Sequence, residues 1–254
     1  ESAPDCERFV TYGISAKRRL LEIGVSESRV AVAPPPVALN VRAGEDRLQV
    51  RHMLGCGPAS TVILSVGAPG RIDAVRFCFL MGLLAVAGIP VTGVIGPHSM
   101  NALRAARLSA AEPKLRVIES NRPTSHLLAA ADLALFDGGG RGTAASNPPC
   151  PWLATEPILT AHVAGVPVVA PAWADADHLF PPDAAADLLA FNSSLPELAR
   201  KAAALALDGQ KRRICAAAVL RHAQQASGRH EFAVRIGEFC DELIEEPTET
   251  EAAT

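Results

Sequence analysis

Short runs of β-branched and apolar residues recur along the chain, each separated from the next by a stretch whose apolar positions fall at helical spacing. The runs at 61–67, 90–95, 133–136 and 166–170 are continuous rather than alternating, and 115–119 reads as a further strand. Runs of that kind mark strands buried on both faces of a parallel sheet. Upstream, the pattern predicts a strand at 9–12, a helix capped by Ser15 and ending at Gly24, a strand at 29–33 and a helix at 47–54 closed by Gly55. A long apolar helix is predicted at 74–87, and a second helix after Ser99 carries Arg104 and Arg107. Towards the C-terminus, helices begin at 195–199 and at 211–213. A terminal helix follows with Phe232, Ile236, Phe239 and Leu243 on one apolar stripe. Buried strands alternating with helices predict one α/β domain with a Rossmann-like, doubly wound parallel sheet. It should occupy 1–246, with 247–254 as a disordered tail.

The stretch 152–171, WLATEPILTAHVAGVPVVAP, joins a helix to a buried strand. Thr155 is predicted to cap the helix, whose first turn would hold Pro157, because proline lacks only an N–H that has no partner there. Gly165 suits the left-handed position at the other end. On this reading Glu156 lies in the first turn, where a carboxylate is favoured by the helix dipole and competes with an incoming anion.

The order Pro157-Ile158-Leu159, Ala161, Gly165-Val166-Pro167-Val168-Val169-Ala170 resembles the donor-binding, C-terminal domain of retaining GT-B glycosyltransferases of the group 1, family 4-like type. That family writes the segment as EGFGLPVLEAMACGVPVVA. HLLAAADLALFD is similar to the family's LLAAADVFVLPS, and ISAKRRLLEIGVSESRVAVAPPPV to the start of its donor domain, with Pro36 at the family's glycine and Ala38 at its aspartate. LPELA matches its DPEALA, and HEFAVRIGEFCDELIEE its terminal helix, so the resemblance runs from about Phe9 to Glu246. It implies half of a GT-B fold, a nucleotide-sugar donor (UDP-, GDP- or ADP-linked), metal-independent transfer with retention and no cofactor. The acceptor side would belong to an N-terminal domain or a partner protein.

The two glutamates that face the donor in that family fall on Trp152 and Thr160. The resemblance thus implies a site with both carboxylates replaced, with activity weak or lost. The family's phosphate-binding arginine and lysine fall near Ala68 and near Ile72 or Asp73. Gly67 opens that loop, and Arg71 lies within reach of the same anion. An insertion, DGGGRGTAASNPPCP, precedes Trp152. Gly138, Gly139, Gly140 and Arg141 would form a nest of backbone N–H groups for phosphate, or a loop with no ligand. Glu156 and Thr160 complete the predicted donor contacts, and the catalytic group itself is not identified.

Composition narrows the function classes. Net charge of −3 leaves no basic field for nucleic acid or an anionic membrane surface. The longest apolar run, 77–87, is too short to span a bilayer. Six cysteines without a Cys-x-x-Cys pair suggest neither zinc nor a disulfide framework, which implies a cytoplasmic setting. His98 reads as a surface turn residue. Asp175, Asp177 and His178 read as a solvated acidic loop in preference to a metal cluster. Two other readings stand beside the enzyme: a non-catalytic binding or assembly module on the same scaffold, and a phosphosugar-binding protein such as a GT-B epimerase.

Overall fold

The computed structural model describes residues 8–11, 13–33, 47–57, 60–67, 72–96, 99, 101–111, 115–136, 151–173, 176, 178–191, 194–226 and 229–245. The chain opens with two short parallel strands, β1 (Phe9–Thr11) and β2 (Val30–Val32), joined by α1 (Ile14–Glu22). Gly13 takes the position before α1, so Ser15 lies inside the helix and is not its cap. Glycine suits the close passage past His178 there, since a Cβ at position 13 would stand 3.0 Å from His178 Nδ1. Gly24 has φ of 93° and ends the helix where the sequence pattern placed the end.

Among the described residues the main sheet has six strands: β3 (Thr61–Ser65), β4 (Val91–Ile95), β5 (Val117–Glu119), β6 (Leu133–Leu135), β7 (Val168–Pro171) and β8 (Leu189–Ala190). Their order across the sheet is β5-β4-β3-β6-β7-β8, with every pairing parallel. Ile63, Leu64, Leu133, Val168, Val169 and Ala170 are inaccessible to solvent, as strands covered on both faces must be. Gly93 in β4 lets α3 (Ala74–Val86) approach closely, since a Cβ there would stand 2.8 Å from Phe77 Cε1.

Helices α2 (Arg47–Met53), α4 (Ala102–Ala111), α5 (Thr124–Ala130), α6 (Pro151–Val163), α7 (Pro182–Leu188), α8 (Leu195–Leu207), α9 (Gly209–Ala226) and α10 (Arg229–Glu245) complete the chain. α3 packs against both α4 and α8, α2 against α5, and α6 against α9. At the amino ends of β3 and β6, Asp132 ties the layers together. Its carboxylate accepts from Val62 N at 2.8 Å and from Arg51 Nη2 at 3.3 Å, and it pairs with Arg47.

Three segments differ from the sequence expectation. α6 begins at Pro151, one turn early, so Thr155 does not cap it, Pro157 lies in its interior and Glu156 is not in its first turn. Pro151 supplies the fixed φ that suits a first helical residue, and Leu153, Ala154 and Thr155 continue the helix where the GT-B pattern has glycine. Residues 181–190, to which the sequence pattern assigned no element, hold α7 and β8. Pro182 starts α7, and the β8 pairing Ala170↔Leu189 depends on a neighbouring strand that two residues of sequence cannot announce. β7 begins at Val168 because Val166 N is engaged by Ala161 O in closing α6. In α10, Phe232 and Ile236 are half-buried, and the side chains of Phe239 and Leu243 lie outside the description, as do residues 246–254.

Candidate functional site

The first three sheet strands in the chain build outward in one direction from β3, and the next three build outward in the other from β6. The reversal lies between β3 and β6, whose partners run Ile63↔Leu133 to Ser65↔Leu135. Loops leaving the carboxyl ends of two such strands diverge to opposite faces and leave a crevice, the usual ligand position in an open α/β sheet. Gly67 lies just past β3 and Phe136 just past β6. The segments 68–71 and 137–150, which continue from them, lie outside the described residues.

Along the same edge the described chain is small and polar. Gly67 is packed so tightly against Ile72 that a Cβ would stand 3.0 Å from its Cγ1. Asp73 caps α3, its Oδ1 accepting from Val75 N at 3.0 Å and Arg76 N at 3.4 Å. Asn101, held at φ of 59° at the start of α4, donates its amide to the same oxygen at 3.3 Å. Beyond β4 Ser99 Oγ donates to Gly96 O at 2.8 Å, and beyond β5 the buried Ser120 Oγ accepts from Arg122 N at 3.3 Å. The dipole of α3, which would favour an anion at this end, is thus already satisfied by a carboxylate.

On the β7 side the edge is aromatic. Phe136 packs on Trp173 with centroids 6.2 Å apart, Trp173 on Phe180 at 6.1 Å, and Phe180 on His162 at 5.3 Å. His162 is wholly buried, and burial followed by the nearby His222 lowers it to about 3, which keeps the ring neutral across physiological pH. Thr155, buried in α6, has its hydroxyl 3.4 Å from His178 Nε2. Glu156 points to solvent and Thr160 is half-buried.

Of the predicted donor contacts, Gly67 lies on the crevice, while Glu156 and Thr160 lie along α6. Arg71, Gly138, Gly139, Gly140 and Arg141 lie outside the described residues, as does the side chain of Trp152. Asp175, Asp177 and His98 are outside them too. Among the described residues no cluster of His, Cys, Asp or Glu is arranged to hold a metal, and no helix is long and apolar enough to cross a membrane. Sequence reasoning missed Asp73 as a cap and Trp173 and His178 as part of this edge. An Asp just before an apolar helix is a readable capping signal. The aromatic chain is not readable, since its members come from three segments distant in the chain.

Solved structures share this architecture. Anabaena HepE in complex with UDP-glucose superposes with a TM-score of 0.68 at 17% identity over 93% of this chain and 64% of that one. A glycosyltransferase from Rickettsia africae ESF-5 gives 0.69 at 10% identity over 95% and 64%. Sucrose-phosphate synthase from Thermosynechococcus elongatus gives 0.66 at 16% identity over 95% and 59%. The fold is that of half a GT-B glycosyltransferase. The chain spans under two thirds of the length of these GT-B structures. No family model matches the sequence, and no curated protein does. At such identities the GT-B likeness is one of backbone architecture, and it leaves the chemistry to be argued from the residues above.

Proposed function

We propose that this chain is the donor-binding half of a glycosyltransferase-like protein, with the crevice between Gly67 and Phe136 receiving a UDP-, GDP- or ADP-linked sugar. The observation that carries the reading is the sheet reversal at β3 and β6, with a glycine just past β3 and a glycine-rich segment continuing from β6, in a fold whose neighbour HepE is solved with UDP-glucose. Arg71 would supply charge to the diphosphate. Backbone N–H groups of Gly67 and of Gly138, Gly139, Gly140 and Arg141 would supply donors. Thr160 would make a neutral hydrogen bond where the resembled family has a carboxylate, and Glu156, exposed in the second turn of α6, would act on the donor only as a distant negative charge. Transfer would proceed with retention and without a metal. The acceptor-side groups would come from a further domain or from a partner protein. The setting would be cytoplasmic, as six cysteines without a paired spacing suggest.

A second reading, a non-catalytic module on the same scaffold, is favoured by Asp73. A carboxylate that caps α3 at the crevice edge repels a diphosphate, and neither Trp152 nor Thr160 offers the charged acceptor that the family uses. Titration with UDP-glucose, GDP-mannose and ADP-glucose, followed through the backbone amide signals of Gly67 and Phe136, distinguishes the two. Saturable shifts at both amides for one nucleotide-sugar are expected from the donor-binding reading. Unmoved amides for all three would leave only the binding or assembly module.

A further inference from the structure

We propose that the turn His178–Phe180 is an acid-sensitive latch, which holds the aromatic wall of the crevice in place at neutral pH and releases it when His162 takes a proton. This turn is tied from two helices. His162 Nδ1–H, from α6, donates to Leu179 O at 3.1 Å, and its ring meets Phe180 edge-on at 83°. From α9, His222 Nε2–H donates to the neighbouring carbonyl, His178 O, at 3.2 Å. The turn closes on itself through Leu179 N and Phe180 N, which donate to Ala176 O at 2.9 Å and 3.1 Å. Phe180 then carries the arrangement to Trp173 and Phe136, at the carboxyl end of β6.

One ring decides the sensitivity. With Nδ1–H committed to Leu179 O, any added proton must go on Nε2. That atom is buried and has no hydrogen-bond partner among the described residues. A charge there would be desolvated and unpaired, which the closed turn cannot tolerate. Among the described residues the surrounding elements offer no compensating carboxylate; Asp175 and Asp177 of the same loop lie outside them. His178 of the turn and His222 of α9 are the titratable neighbours, and both are bases. Asp183 of α7 and Arg221 of α9 pair with each other at the surface, 3.8 Å apart, and Glu156 on the same helix points to solvent. β7 carries no ionisable side chain.

The sign follows from linkage. His162 is lowered from its ordinary 6.5 to about 3 in the closed turn, so the open turn binds the proton more tightly. The closed form is therefore fully favoured above pH 6.5 and loses tenfold in population, relative to the open form, for each pH unit between about 6.5 and about 3. His222 keeps its donor to His178 O in either charge state.

Amide hydrogen exchange on the intact chain between pH 7 and pH 4, corrected for the intrinsic pH dependence of exchange, tests the latch. Protection of the Leu179 and Phe180 amides should fall about tenfold per pH unit below 6, while Ile63 and Leu64 in β3 keep theirs. His162→Gln keeps an N–H donor but does not titrate, and it should abolish the slope. If that variant does not fold, nitrogen chemical shifts of the His162 ring in the natural chain replace it, expected to report a neutral imidazole down to the pH at which the turn opens. A flat profile at Leu179 and Phe180, the same slope in β3, a slope that survives in His162→Gln, or an imidazolium inside the closed turn would each overturn the proposal.

Discussion

Asp73 shows how a single side chain sets the character of the site. It satisfies the first N–H groups of α3 and holds Asn101, so its removal and its neutralisation have different effects. Asp73→Ala should cost about 1 kcal/mol in denaturant unfolding through loss of the cap. Asp73→Asn keeps a capping oxygen at the same place, so it should leave stability within about 0.5 kcal/mol and tighten nucleoside diphosphate binding in calorimetry. Unchanged affinity in Asp73→Asn would show that no phosphate comes near this end of α3. Trp152 and Thr160 carry the complementary test. A charged acceptor contributes about 1.5 to 3 kcal/mol per hydrogen bond. Restoring both as Trp152→Glu with Thr160→Glu should therefore strengthen UDP-glucose binding by about two to four decades if both reach the donor.

At the scale of the element, α6 is the informative case. Its N-terminal extension through Pro151 leaves Pro157 in the interior, where the chain forgoes the hydrogen bond to Leu153 O. Pro157→Ala should accordingly raise stability, by up to about 3 kcal/mol, seen as a higher Tm in calorimetric unfolding. A lowered Tm would mean that the proline ring is packed more favourably than the restored bond repays. The far end of the same helix was legible from the residues alone. Gly165 has φ of 71°, and Val166 N reaches back to Ala161 O, the closure that a glycine at this position predicts. α7 was illegible for the opposite reason: alanine-rich, proline-bounded segments satisfy helix and loop equally, and the choice fell to packing of α7 on α9.

For the whole molecule, the Asp132 cluster lies at the opposite end of the strands from the crevice and joins α2 to β3 and β6. Its carboxylate is one-eighth exposed and Arg51 is nearly buried, so removing one partner strands a charge in a poorly solvated place. Asp132→Ala should cost about 3 to 5 kcal/mol in urea unfolding without altering ligand affinity, because stability and site occupy different ends of the sheet. An equal loss of nucleotide binding in the folded variant would refute that separation. Within this frame the sequence by itself determined the sheet. Runs such as 61–65 and 91–95 are uncharged and mostly β-branched or apolar without alternation, the pattern of strands covered on both faces, and the glycines after the helices set where the chain turned. Tertiary structure alone decided that Leu189 pairs with Ala170 and that Phe136, Trp173, Phe180 and His162 form one wall. Each of those outcomes depends on partners distant in the chain, and local patterning carries no information about which distant groups will meet.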